Sequence, residues 1–363
     1  MADNKLDKAR KAINEVDAKM AALFVERMRA AEAVAEYKME RGLAIYDPLR
    51  EEEVIRRNSE MIEDDTLRAY YVNFLKNNMA VSRAYQSKIM DGMKVAYSGT
   101  EGAFAHIATE KLYPSALKVS YEDFQSAYRA VEEGECDVAV LPVENSYNGE
   151  VGQVIDLMFS GSLYVNGMYE LPVTQDLLAI KGAAIGDIKT VISHPQALGQ
   201  CASYIKKHGF ATVEYENTAL AAKYVAQKAD GSVAAIASAE AADIFGLEVL
   251  DHDINASKSN TTRFAVFSRV PNKRIASDTG IHSILLFTVR NEAGALARAI
   301  DVIGEHGYNM RNLRSRPMKE LLWQYYFYVE VEGNIQSDEG QTMMEELGEY
   351  CDRLKFAGTY VKL

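Results

Sequence analysis

Met93-Lys94-Val95-Ala96-Tyr97-Ser98-Gly99-Thr100-Glu101-Gly102 marks a change of texture in this 363-residue chain. Lys94-Val95-Ala96-Tyr97 reads as a short strand, and Ser98 to Gly102 as the turn that delivers the chain into a helix at Ala103. Upstream, Ile13, Val16, Met20, Leu23, Phe24, Ala31 and Val34 lie three and four residues apart. Neither proline nor glycine intervenes before Gly42, so one long helix is predicted. Asp47-Pro48 reads as an N-cap and first helical position for a second helix over 49–59. Asp64-Asp65-Thr66 opens a third, reaching about residue 90 through Leu67, Tyr71, Phe74, Leu75 and Met79. Three such helices enclose little core alone, so dimerisation is expected to cover their apolar faces.

Downstream, segments 138–141, 154–159, 173–180, 190–193, 197–207, 219–227, 233–237 and 263–270 alternate between strand and helix, which argues α/β layers. Strands ending in polar loops suggest two lobes around a cleft, with ligand at the strands' carboxyl ends. A polar linker over 272–280 precedes a last unit. There strands at 283–290, 309–317, 323–332 and 358–362 and helices at 294–306 and 338–354 follow the ferredoxin-like βαββαβ plan. The predicted domains are 1–91, 92–272 and 280–363.

The net charge of −12 argues against nucleic acid and anionic membranes as partners. Nothing resembles a signal peptide or an apolar span. Cys136, Cys201 and Cys351 are scattered, which fits a reducing cytoplasm and no disulfide framework. They form no zinc-like spacing, and with no G-x-G-x-x-G or Walker sequence no nucleotide cofactor is expected.

Against that acidity stand three cations on the first helix. Arg27 and Lys38 are 11 residues apart and point the same way, about 16 Å along the axis, so two long side chains could clasp a small dianion. Arg10 is 17 residues from Arg27, about 25 Å away and rotated by about 100°. It cannot serve the same molecule from the same helix. Singly, each has a plain reading as solvated charge. Asp47, Arg50, Glu51, Ser82 and Gln86 join them, the last two one turn apart on the third helix. Together these residues resemble the helical chorismate mutase family over about 5 to 90, each at the family's spacing. The resemblance implies an intertwined dimer in which Arg27 and the Arg10 of a second chain grip the substrate's carboxylates. It implies that Lys38 and Gln86 reach the ether oxygen, while Arg50, Glu51 and the Asp47 backbone orient the ring. Chorismate rearranges to prephenate unimolecularly, so the site must hold the compact conformer and stabilise charge on that oxygen.

Four clusters stand out in the middle region: Ser98 to Gly102, Pro142-Val143-Glu144-Asn145-Ser146, Ser193-His194-Pro195-Gln196-Ala197-Leu198-Gly199-Gln200-Cys201, and Asn260-Thr261-Thr262-Arg263-Phe264. The first is an anion-binding or a plain tight turn; a lone His194 is more often a packed group than a base. In this order and spacing the clusters resemble prephenate dehydratase, over about 93 to 270. That family is two-lobed, periplasmic-binding-like α/β. The resemblance implies that Thr262 is central to catalysis and that Glu144, Asn145, Ser146, Ser193, Gln200 and Arg263 line the site. A threonine hydroxyl is far too weak an acid for full proton transfer. Thr262 is therefore expected to polarise the leaving hydroxyl by hydrogen bonding, with Arg263 on a carboxylate and Glu144 as a backup acid.

The last unit resembles an ACT module, through Gly294-Ala295-Leu296 and through Ser315-Arg316-Pro317 after Asn309. The resemblance implies a dimer interface and feedback by L-phenylalanine at Gly294, Ala295, Leu296, Asn309, Ser315 and Arg316. Arg314 departs from the pattern, standing where that family usually has glutamate. The whole chain thus resembles a mutase–dehydratase acting on chorismate and then prephenate, as a homodimer or homotetramer. Neither step moves electrons or needs a Lewis acid, so no metal or organic cofactor is implied. A non-catalytic two-lobed sensor with an amino-acid-binding tail is the rival reading. A mutase joined to a dehydrogenase fails for want of a dinucleotide fingerprint.

Overall fold

The computed structural model describes residues 2–90, 92–257, 259–273, 275, 280–318 and 324–362. The predicted linker lies partly, and Trp323 wholly, outside them. The chain forms two compact units, Met1–Met93 and Lys94–Leu363.

The first unit is helical: α1 (Ala2–Arg41), α2 (Pro48–Ser59) and α3 (Asp65–Ile89). Asp47 caps α2 by accepting from Arg50 N–H, and Asp64 caps α3 by accepting from Leu67 N–H. Forty residues make α1 about 60 Å long. Its second half packs on α3 through Ala31, Ala35, Leu75 and Met79. Every residue from 5 to 26 is exposed, including Leu23 at 62% and Ile13 at 58%.

The second unit begins with a lobe built from β1 (Lys94–Ser98), α4 (Phe104–Leu112), β2 (Leu117–Tyr121), α5 (Phe124–Glu132), β3 (Val138–Asn145), β4 (Gly149–Glu150), α6 (Gly152–Ser160) and β5 (Tyr164–Pro172). The chain then crosses into a second lobe: β6 (Asp176–Ala179), β7 (Thr190–Ser193), α7 (Pro195–Gln200), α8 (Ala202–His208), β8 (Ala211–Glu214), α9 (Thr218–Lys228), β9 (Val233–Ala237), α10 (Ala239–Phe245) and β10 (Glu248–Asp251). It crosses back as β11 (Thr261–Ser268), which inserts between β3 and β5, antiparallel to both. The first sheet runs β2-β1-β3-β11-β5, with β4 on β3, and the second β10-β6-β9-β7-β8.

Several sequence expectations are corrected here. Segment 173–180 holds a shorter strand than expected: residues 173–175 make the crossing after β5, and only Asp176–Ala179 form β6. Segment 197–207 is two helices, broken at Cys201. The last helix ends at Tyr350, and the final strand begins at Arg353 rather than 358.

The C-terminal domain is β12 (Ile281–Thr288), α11 (Ala295–Glu305), β13 (Met310–Pro317), β14 (Tyr325–Glu332), α12 (Asp338–Tyr350) and β15 (Arg353–Val361). Its antiparallel sheet runs β13-β14-β12-β15, the ferredoxin-like order. One face is covered by α11 and α12, where Leu285, Phe287, Ala299, Ile303 and Leu347 are buried together. The other face carries Ile284, Leu286, Tyr326, Tyr328 and Tyr360, which share a continuous core with Leu141, Met158, Val165 and Met168 of the first lobe. A Cβ on Gly358 (φ 143°) would lie 2.7 Å from Val165 N, so only glycine allows this approach of β15 to β5. No helix among the described residues is long and apolar enough to cross a membrane.

Candidate active sites

In the helical unit, α1 and α3 bring Arg27, Ser82 and Gln86 together. Arg27 donates to Ser82 Oγ and, at 3.4 Å, to the Asn78 carbonyl. Gln86, a turn beyond Ser82, is buried, and its Oε1 has no hydrogen-bond partner among the described residues. A buried amide oxygen can accept two hydrogen bonds, so this one is available to accept. Lys38 Nζ donates to the Ile45 carbonyl at 2.5 Å. Burial lowers its pKa below that of an ordinary lysine, against the pull of Asp47 and Glu51. Arg27 is likewise lowered by burial.

Two neighbours are less engaged. Arg50 pairs with Glu53 on the surface of α2, while Glu51 pairs with Arg83, which also lies over the Tyr46 ring at 5.4 Å. Arg83 escaped the sequence reading because nothing but its place beside Ser82 singles it out. Arg10 is far out on the uncovered half of α1, 68% exposed, 4.0 Å from Asp7. The single chain does not bring it to Arg27.

At the junction of the two lobes a second constellation forms, and its polarity can be read. Asn145 Oδ1 accepts from the backbone N–H groups of Tyr147 and Asn148, at 3.0 and 2.9 Å. Those two bonds fix the amide's orientation. Its Nδ2 therefore donates, to Thr262 Oγ1 at 2.9 Å and to Asn260 Oδ1 at 2.8 Å. Asn260 in turn donates from Nδ2 to Gln200 Oε1 at 3.2 Å, joining α7 of the second lobe to the first. With acceptors committed inward at each step, Thr262 keeps its own O–H to donate and Gln200 its NH2. Ser146 laces this edge, donating to Ser259 O and accepting from Thr261 N–H. Ser193 is fully buried and donates into β9 at Ile236 O, 2.5 Å. His194 caps α7, accepting from Gln196 N–H, so it takes the structural role.

The structure does not bring Glu144 and Arg263 to this group, and the reason is strand geometry. Thr262 is paired with Asn145 and Arg263 with Glu144, so alternation puts one pair on each face. Arg263 grips Glu330 of β14 with two bonds, at 3.0 and 3.1 Å, and also donates to Tyr360 Oη and Glu144. Burial is the largest single influence and opposes its charge, but the hydrogen bond to Glu330 and the Coulombic pull of Tyr360, Glu330 and Tyr328 together outweigh it and raise the pKa. Burial alone would push Glu330 up; Arg263 and Tyr360 instead hold it below the usual carboxylate range. Removing one partner of such a buried pair typically costs about 3–5 kcal/mol.

In the C-terminal domain Gly294 caps α11 with φ 82°, followed by buried Ala295 and half-buried Leu296. Asn309 donates to Glu332 at 2.8 Å. On β13 alternation again separates neighbours. Ser315 is exposed on the outer face, whereas Arg316 faces the first lobe and binds Asp156 at 2.9 Å and Glu150.

Family models match in chain order: chorismate mutase type II over residues 9–87, prephenate dehydratase over 95–272 and ACT domain over 283–342. A bifunctional chorismate mutase/prephenate dehydratase of Neisseria gonorrhoeae is 32% identical over 97% of this chain and 95% of its own. Two solved structures each match 74% of this chain with a TM-score of 0.69. One is a prephenate dehydratase from Arthrobacter aurescens in complex with L-Phe, 25% identical and covered over 90% of its length. The other is GqqA, described as a novel type of quorum quenching acylase, 29% identical and covered over 98%. An isomerase domain and a carbon–oxygen lyase domain thus share one polypeptide with an ACT module. The chain belongs to the family of bifunctional chorismate mutase/prephenate dehydratases.

Proposed function

We propose that the two reactions of phenylalanine biosynthesis, chorismate to prephenate and prephenate to phenylpyruvate, run at two separate sites of this chain. For the first, Arg27 holds a carboxylate and Lys38 and Gln86 address the ether oxygen, with Ser82, Asp47, Arg50 and Glu51 around the ring. The second carboxylate is held by Arg10 of another copy. The bare apolar stripe of α1 supports this, since a second copy would cover it. A homodimer is the proposed minimum, with a homotetramer built from it as the larger possibility.

For the second reaction, the carrying observation is the direction of the Asn145–Thr262–Asn260–Gln200 network. The ring carboxylate leaves as carbon dioxide, its bonding pair enters the ring, and the ring hydroxyl departs as water after gaining one proton. Thr262 donates a hydrogen bond to that hydroxyl and passes on a proton that it does not itself originate. Glu144 and Arg263 leave the substrate face in this reading. The acylase likeness is not carried over to Thr262, because an activated hydroxyl nucleophile needs a base on its oxygen. The group on the Thr262 oxygen is an amide donor.

L-Phenylalanine is the proposed effector at Gly294, Ala295, Leu296, Asn309, Ser315 and Arg316. The ACT match and the L-Phe complex of the Arthrobacter relative support it. Three free cysteines support a reducing, cytoplasmic setting. The test is purified protein given chorismate, followed for prephenate and then phenylpyruvate, with and without L-phenylalanine. Both products are expected, the second suppressed by the amino acid. No prephenate would remove the first assignment, and prephenate accumulating alone would remove the second.

A further inference from the structure

In the β3–β4 hairpin, Glu144 stands directly opposite Glu150, as Asn145 stands opposite Gly149. Like charges directly across a pair of strands push it apart. The residues between them, 145 to 149, form the turn in which Asn145 accepts from Tyr147 and Asn148 and so aims its Nδ2 at Thr262. The hairpin that orients Thr262 therefore carries a repulsive pair at its base.

That pair is bridged from outside the catalytic domain. Arg314 of β13 donates to Glu144 Oε1 through one Nη and lies 3.5 Å from Glu150 Oε2 through the other. Its Nε donates to Asn312 Oδ1 at 3.0 Å, which steadies the guanidinium. Next to it Arg316 holds Glu150 and Asp156, and a Cβ on Gly152 would lie 2.7 Å from its Cζ. Arg314, Glu144, Arg263 and Glu330 thus form an alternating line of charge along the back of the two strands whose front faces carry Asn145 and Thr262.

We propose that Arg314 is a positioning residue for the dehydratase step: by neutralising and bridging Glu144 and Glu150 it keeps the hairpin closed and Asn145 on Thr262. This deepens the dehydratase reading and rests on it. It also gives a role to the residue that departs from the ACT pattern.

The test uses the full chain, with kcat and KM for prephenate and, separately, the chorismate mutase rate. Arg314→Met is expected to lower the prephenate kcat about tenfold with KM little changed, since misplacement at a catalytic group chiefly costs turnover. The mutase rate and Tm should hold, and Arg314→Lys should recover much of the loss. In a Glu144→Gln background, Arg314→Met should cost far less than it does alone, as expected of coupled partners. A kcat within about twofold of the unsubstituted chain, additive penalties, or parallel loss of both activities and Tm would overturn the proposal. If Arg314→Met does not accumulate folded, Arg314→Gln decides by the same criteria. The unsubstituted chain run alongside separates the two ideas. If it makes no phenylpyruvate, the dehydratase reading fails; if it is active while Arg314 is indifferent, only this inference fails.

Discussion

The helical unit and the α/β unit solve the problem of building a site in opposite ways. In the helical unit half of the longest helix is bare, a candidate cation stands far from its fellows, and the buried Gln86 oxygen has no partner among the described residues. In the α/β unit the lobes and the C-terminal sheet share cores within one chain. There the amides around Thr262 satisfy one another in a fixed direction. A helix exposes two sides of itself and needs neighbours, whereas a sheet between layers is covered on both faces by its own connections. In the proposed reading the first site depends on a second copy, and the second on intrachain contacts behind its strands.

The sharpest way to break this comparison is to disable each site alone. Thr262→Ala is expected to lower phenylpyruvate formation about a thousandfold with the mutase rate intact, and Arg27→Ala to do the reverse. Coupled assays from chorismate and from prephenate read both. If either substitution abolished both activities in a folded chain, the two sites could not be separate.

A smaller effect tests the dependence on a second copy. Arg10→Ala and Arg27→Ala chains, each inactive as a mutase, are expected to regain about a quarter of the wild-type rate when mixed and allowed to exchange. Half the dimers are then mixed, and each mixed dimer has one intact site. No recovery would place Arg10 outside the site.

Smallest is a shift in pH dependence. Lys38 acts as a cation, and burial has lowered its pKa, so its charge is lost at a lower pH than for an ordinary lysine as pH rises. Mutase activity should fall on the alkaline side through that range, and Lys38→Arg should carry whatever activity it retains to higher pH. The dehydratase rate in the same samples, with no lysine in its network, should not share that limb.

Much of the helical unit was legible because its signals are local. Asp47-Pro48 and Asp64 act through the next three residues, and the apolar spacing of α1 needs no partner to be recognised. β5 was missed for the converse reason. Tyr-Val-Asn-Gly-Met-Tyr-Glu-Leu-Pro lacks strict alternation, and its strand character comes from β11, nearly a hundred residues later. The division of Glu144 and Arg263 from Asn145 and Thr262 was available in principle. Adjacent residues on a strand face opposite ways, and reading a motif as one site ignores that period. The charge line behind the strands could not be read at all, because it joins residues as much as 170 positions apart through a domain contact.

One consequence of the topology concerns synthesis. β11 sits inside the first lobe's sheet, yet it follows the whole of the second lobe in the chain. As the polypeptide leaves the ribosome, the first lobe emerges early but lacks a central strand, with β3 and β5 unpaired along facing edges. The second lobe, contiguous from β6 to β10, can close before it. The topology thus allows the reverse of the usual order, in which the N-terminal part folds first. Until residue 268 is out, the nascent chain carries an open slot in its sheet that only its own later sequence fills.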